Sequence, residues 1–216
     1  MDRVQRNGGT AGIVAGVLLF LVLIMILSLG MDVMAPGDPA KSLAAVTQKW
    51  GLFAATLIVG ALAAGVAIPF TVGIATRLRD AAPTRARTVL YVTLLGLGGY
   101  ALASLMMFMG GRQVVEFAAK DQAAAATAWL TLRAVNAGLD TLGSVFTGVG
   151  TLIAGWAIVS TRAMGSGVAW VGIAAGVMGI LALFAPTAEI VFLGNIVLTI
   201  VWLIWAGAEL RRTKPA

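Results

Sequence analysis

The chain has 216 residues, of which 60% are hydrophobic and 11% are charged, and its formal net charge is +6. An ordinary soluble domain has about a quarter charged residues and no long apolar runs, so this composition excludes a soluble globular protein. Apolar runs of about 20 residues match the length of a membrane-spanning helix and lack the alternation of a barrel strand. We therefore predict an all-α, polytopic transmembrane helix bundle, with residues 1–216 forming a single transmembrane domain.

The residue types that the chain lacks exclude several kinds of chemistry. It has no cysteine and no histidine, so the usual ligands for zinc, copper, haem iron and iron–sulfur clusters are missing. The nine methionines lie mostly within apolar runs, where filling gaps in a core is their usual role. No His or Lys base stands beside the loop residues Ser160 and Ser166. We predict no catalytic residues, no metal site and no cofactor, and therefore a protein that is not an enzyme.

Six apolar runs are predicted to span the membrane: about 10–31, 50–75, 88–110, 129–160, 167–184 and 188–208. The first run is longer than the roughly 7–15 residues of a signal-peptide core, so we expect it to be retained. Pro36, Gly37 and Pro39 are expected to break the helix in the connection that follows. Trp50 is expected to anchor its span at the membrane interface, and Trp129 is expected to lie near the outer interface.

Basic residues in the connections predict the orientation. If the N-terminus is cytoplasmic, ten of the fifteen Lys and Arg residues fall on cytoplasmic segments, including the four arginines of residues 77–87. This bias follows the positive-inside rule and predicts that both termini are cytoplasmic. The sequence thus predicts a multi-pass protein of the bacterial cytoplasmic (inner) membrane. Its expected partners are membrane lipids, including anionic headgroups at the cytoplasmic loops, and no nucleic acid.

Small residues recur at four-residue spacing in two spans. Gly8, Gly12 and Gly16 form one such series, and Gly172 and Gly176 form another. In lipid, small residues at this spacing let helix backbones approach closely. We expect them to pack the helices of one chain together rather than to form a dimer.

The fourth span carries six polar residues at intervals of three or four positions: Arg133, Asn136, Asp140, Ser144, Thr147 and Thr151. This spacing places side chains on one face of a helix, so the six residues form a polar stripe. The other faces are apolar, and the polar stripe is expected to face the helix bundle. Asn195 and Thr199 share the same spacing on the sixth span and form a candidate facing patch.

Asp140 lies eleven residues beyond Trp129, or roughly 16 Å along an ideal helix, which places it near the middle of the membrane. An ionised carboxylate at that depth costs at least about 2.5 kcal/mol, so we expect Asp140 to be protonated, paired or hydrated. Arg133 is about 10 Å away along the helix, and Asn136 between them is a candidate bridge. Glu189, at the start of the sixth span, is expected to be an interfacial helix cap.

The stretch WLTLRAVNAGLDTLGSV resembles a family of uncharacterised bacterial six-span membrane proteins, classed only as a domain of unknown function. That family has an Arg followed three residues later by an acidic residue, then Ala, and a turn into a fifth span rich in Trp, Gly and Ala. Here Arg133 matches, Asn136 replaces the acid and Ala137 follows, while MGSGVAWVGIAAGVMGILAL is similar to the fifth span. Asp140 is the acid one turn later. The resemblance covers about 125–185 and implies the six-span architecture but no activity.

Two functions follow from these features. The sequence favours a non-enzymatic membrane component, such as an accessory subunit or an interaction protein with an unknown protein partner. The alternative is a small permease or ion-coupled transporter that uses Asp140 as a proton or cation site. A transporter requires polar side chains from other spans around Asp140, whereas a structural polar stripe requires that helix contacts satisfy every polar group.

Overall fold

The computed structural model of the protein describes residues 3–30, 33, 38–184 and 189–212, except for the side chains of residues 189 and 190. Within these ranges every regular element is an α-helix. The helices are α1 (Arg3–Leu29), α2 (Pro39–Gln48), α3 (Trp50–Leu78), α4 (Pro83–Ala118), α5 (Gln122–Thr161), α6 (Ser166–Leu181) and α7 (Glu189–Leu210). The all-α prediction is confirmed for this part of the chain.

Five of these helices, α1, α3, α4, α5 and α7, are long and apolar enough to cross a membrane, so the protein is a membrane-embedded helix bundle. The predicted fifth span corresponds to α6, which has 16 residues. Its length of about 24 Å is less than a hydrocarbon core of about 30 Å. Residue 31, where the predicted first span ends, and residue 188, where the predicted sixth span begins, lie outside the described residues.

The hairpin of α4 and α5 is longer than the sequence predicted. These helices have 36 and 40 residues and extend beyond the predicted spans of 88–110 and 129–160. The connection between them is rich in alanine, which favours helix. Asp121 begins α5 as its N-cap and accepts a hydrogen bond of 3.0 Å from the backbone amide of Ala124.

Six of the helices form a closed ring in chain order. α1 packs against α3, each later helix packs against the next, and α7 returns to α1. We call the end where α1 begins and α7 ends the terminal end of the ring. At the opposite end, the cap end, the short helix α2 lies against α3, α4 and α5.

Two apolar cores fill the two ends of the ring. The core at the terminal end draws buried side chains from all six ring helices, including Phe70 and Trp202, whose rings meet edge to face at 6.2 Å. The core at the cap end contains Leu43 and Val46 of α2 together with Phe53 of α3. Along α5, Asp140 therefore lies between Trp129 of the cap-end core and Ala154 of the terminal-end core.

Helix α2 was not predicted from the sequence. The structure begins this helix at Pro39, with Asp38 as its N-cap accepting a hydrogen bond of 2.9 Å from the Lys41 amide. The expectation that Pro39 breaks the helix is wrong, because proline at the first helical position loses no intrahelical hydrogen bond. Pro36 and Gly37 lie outside the described residues.

Glycines allow neighbouring helices to approach closely. A Cβ at Gly148 of α5 would lie 2.8 Å from the carbonyl oxygen of Gly176 in α6. A Cβ at Gly8 of α1 would lie 2.9 Å from the Cα of Gly73 in α3. At these contacts, the prediction that glycines pack the helices of one chain together is confirmed.

The contact between α5 and α6 predicts the effect of a single methyl group. Gly148→Ala places a Cβ against the backbone of α6, and we expect it to lower the free energy of unfolding by about 1–3 kcal/mol. Gly138 on the same helix has open space around its Cβ position, so Gly138→Ala is the matched control and should be neutral or slightly stabilising. Thermal unfolding in detergent measures both variants. Equal unfolding temperatures for both would contradict the close α5–α6 contact.

Candidate functional site

The polar stripe of α5 faces the interior of the ring. α5 contacts α4 at Gly143 and α6 at Gly148, and the polar stripe runs between these two faces. The same line of the helix carries buried Ala154 and Ile158 nearer the terminal end. All six members of the stripe are partly buried: Arg133, Asn136, Asp140, Ser144, Thr147 and Thr151. Their side chains therefore point toward the other helices rather than toward lipid.

Asp140 and Asn136 form a hydrogen-bonded pair on successive turns of α5. Nδ2 of Asn136 donates to Oδ2 of Asp140 at 2.7 Å. The amide oxygen of Asn136, Oδ1, is buried and has no hydrogen-bond partner among the described residues. A buried acceptor without a partner costs about 1–3 kcal/mol. The pair thus places an unsatisfied acceptor beside a carboxylate in the interior of the bundle.

Tyr100 brings a hydroxyl group from α4 to the polar stripe. The hydroxyls of Tyr100 and Ser144 share a hydrogen bond of 2.7 Å. The side chains of Thr147 and Asn195 are also close enough to the Tyr100 hydroxyl to interact with it. Tyr100 therefore joins α4 to α5 by a hydrogen bond and lies near Asn195 of α7.

The facing patch on α7 lies near the Tyr100 hydroxyl. Thr199 donates to Oδ1 of Asn195 at 3.5 Å, and both side chains are partly buried. Thr147 on α5 donates to the backbone carbonyl of Gly143 at 2.7 Å. Three helices thus contribute to one set of side chains, which we call the central polar cluster: Tyr100, Asn136, Asp140, Ser144, Thr147, Thr151, Asn195 and Thr199.

Ser42 of α2 ties the cap end to α5. Its buried hydroxyl accepts hydrogen bonds from Nε1 of Trp129 at 3.1 Å and from the Arg133 guanidinium at 3.0 Å. The same hydroxyl donates to the backbone carbonyl of Val33 at 3.0 Å. Trp129 is only 1% exposed, so its ring is buried in the cap-end core. The guanidinium of Arg133 reaches across to α2 in this contact, while Asn136 bonds to Asp140.

Sequence reasoning missed Ser42 because it lies in a connection that was expected to interrupt the helices. The pair Asp38–Pro39 is a helix-start signal, and it could have revealed α2. The long-range contact of Ser42 with α5 has no signal in a single sequence. The side chain of Glu189, expected to be a helix cap, lies outside the described residues.

The central polar cluster is rich in hydrogen-bond acceptors and contains one acidic side chain. Asp140 supplies a carboxylate, Asn136 supplies an unpaired amide oxygen, and the hydroxyls add further oxygens. In the described parts of the chain, no three His, Cys, Asp or Glu side chains gather as a metal-binding group. This donor set suits a proton or a small monovalent cation rather than an anion or a metal ion that needs several carboxylates.

No family model matches the sequence, no curated protein matches it, and no solved structure matches the fold. The family resemblance of residues 125–185 therefore gains no support from these comparisons.

The hydrogen bonds of Ser42 predict how α2 is held. Ser42→Ala leaves the buried Nε1 of Trp129 without this acceptor, and we expect a loss of about 1–3 kcal/mol in the free energy of unfolding. It should also speed hydrogen exchange in α2. Thr47→Ala is the matched control, because the Thr47 hydroxyl donates within α2, to the Leu43 carbonyl at 2.8 Å. Unchanged exchange in the Ser42 variant would contradict a role for Ser42 in holding the cap.

Proposed function

We propose that the protein is a small permease of the bacterial cytoplasmic (inner) membrane in which Asp140 takes up and releases a proton. The proposal includes six spans with both termini in the cytoplasm. The excess of basic residues at the terminal end supports this orientation. Although α6 is short, it lies in the ring between α5 and α7 and contributes buried Val168 and Ala175 to the core. These contacts support counting α6 as a span.

One observation carries the proton-site proposal. Asp140 is a carboxylate on the interior face of a membrane-embedded helix, beside the buried Asn136 oxygen that has no partner among the described residues. Ionisable side chains at such positions are costly in hydrocarbon and commonly mark ion or proton pathways. Polar side chains from α4 and α7, Tyr100 and Asn195, surround the same region.

The chemistry assigned to each group follows from its atoms. The Asp140 carboxylate holds the proton, and the Asn136 amide orients the carboxylate by donating to Oδ2. The linked hydroxyls of Tyr100 and Ser144 can each accept and donate, so they can pass a proton or hydrogen-bond a small polar solute.

The alternative of an accessory membrane component needs a polar stripe whose groups are all satisfied by helix contacts. The Asn136 oxygen weighs against it, because that buried atom has no hydrogen-bond partner in the part of the chain that the structure describes. An accessory component would also need a protein partner. The permease proposal needs none.

Charge movement in response to a pH jump tests the proposal. Wild-type protein in liposomes on a solid-supported membrane should give a transient current when the external pH is stepped, because protons enter the bundle and bind Asp140. Asp140→Asn should remove most of this current. Asp80→Asn is the matched control. This substitution makes the same change in charge, at a side chain that is 96% exposed.

A current in the wild-type protein and in Asp80→Asn, but not in Asp140→Asn, is the expected result. A wild-type signal equal to that of protein-free liposomes would contradict proton access. A full-size current in Asp140→Asn would mean that another group binds the proton. Thermal unfolding of each variant establishes that it is folded.

A further inference from the structure

A second feature of the molecule lies on the outside of the ring, between α4 and α5 at the terminal end. One cavity of about 390 Å³ is lined by residues 81–85, Ser160 and Thr161. An adjoining cavity of about 540 Å³ is lined by Thr84, Arg85, Thr88, Leu152, Ile153 and Trp156. The two cavities share Thr84 and Arg85, so they form one continuous groove, which we call the α4–α5 groove.

The α4–α5 groove changes from polar to apolar along its length. At its outer end, the Arg85 guanidinium donates to the hydroxyl of Ser160 at 2.7 Å, and Thr161 lies beside this pair. Toward the middle of the bundle, its wall consists of Leu152, Ile153 and the ring of Trp156. This order follows the polarity of one membrane leaflet, in which headgroups lie outside the acyl chains.

The positive charge at the outer end is available to an anion. Arg85 is exposed and bonds to a neutral hydroxyl, and no carboxylate pairs with it among the described residues. Arg162 is also exposed and directly follows Thr161 in the chain, so it adds positive charge near this end. A guanidinium binds phosphate oxygens through paired N–H groups, whereas the Ser160 and Thr161 hydroxyls already donate to the Ala157 carbonyl.

The apolar end of the groove faces lipid. Trp156 is 59% exposed on a membrane-embedded helix, which is typical of an aromatic ring near the membrane interface. The groove thus joins a cationic outer end to an apolar wall that an acyl chain can cover.

We propose that the α4–α5 groove binds an anionic glycerophospholipid of the membrane, with its phosphate against Arg85, Ser160 and Thr161 and the upper part of one acyl chain along Leu152, Ile153 and Trp156. The charge of Arg85 favours an anionic headgroup such as that of phosphatidylglycerol over a zwitterionic one. This site does not depend on proton binding at Asp140. It requires only that the bundle is embedded in a membrane.

Quenching of tryptophan fluorescence by brominated lipids tests this site. The full-length protein is reconstituted in phosphatidylcholine vesicles that contain either brominated phosphatidylglycerol or brominated phosphatidylcholine. Comparison with Trp156→Phe isolates the signal of Trp156 from that of the other tryptophans. At equal lipid fractions, we expect Trp156 to prefer phosphatidylglycerol about fivefold, the effect of one nearby basic residue.

Arg85→Gln should remove this preference, so that both lipids quench Trp156 about equally. Arg85→Lys should retain part of the preference because the charge remains. Arg87→Gln is the matched control, since it removes the same charge from an exposed residue of the same helix that does not line the groove. It should leave the preference unchanged. Thermal unfolding establishes that the variants are folded.

Three outcomes would overturn the proposal. Equal quenching of wild-type Trp156 by both lipids would mean that the groove does not select an anionic headgroup. An equal loss of preference in Arg85→Gln and Arg87→Gln would mean that diffuse surface charge attracts the lipid. No quenching of Trp156 by either lipid would mean that another occupant, such as a second copy of the chain, covers the groove.

Discussion

The hydrocarbon core of a membrane offers no hydrogen bonds, and this constraint determines how α5 is rotated in the ring. α5 carries six polar residues on one face, so the stable rotation turns that face inward. Glycines on both sides of the polar stripe maintain this rotation, because Gly143 and Gly148 let α4 and α6 approach the backbone of α5. Larger residues at these positions would force the flanking helices away and would expose Asp140 to lipid.

The same rotation turns the polar side chains of α5 toward the interior of the ring. The terminal core contains Phe70 and Trp202, and the cap core contains Leu43 and Trp129, so the central polar cluster lies between two apolar layers. Ser42 links the cap to α5 through Arg133 and Trp129.

Much of this arrangement could be predicted from periodicity. The spacing of three and four residues indicated that Asp140 and its neighbours share one face of a helix, and the same spacing indicated the patch of Asn195 and Thr199. Contacts between distant segments could not be predicted. The hydrogen bond between Ser42 and Trp129 joins residues 87 positions apart, and that between Arg85 and Ser160 joins residues 75 positions apart. Such pairs depend on how helices are arranged in the ring, which a single sequence does not specify.

The response of the Asp140 carboxyl group to bulk pH tests the account most directly. Infrared difference spectra of the protein in lipid, recorded across a pH titration in H₂O and in D₂O, isolate this group when Asp140→Asn is subtracted. The account predicts a carboxyl band that depends on Asp140, changes with bulk pH and shifts in D₂O, because protons reach the central polar cluster from water. A band that neither changes with pH nor shifts in D₂O would show a sealed helix contact and would contradict the proposed function.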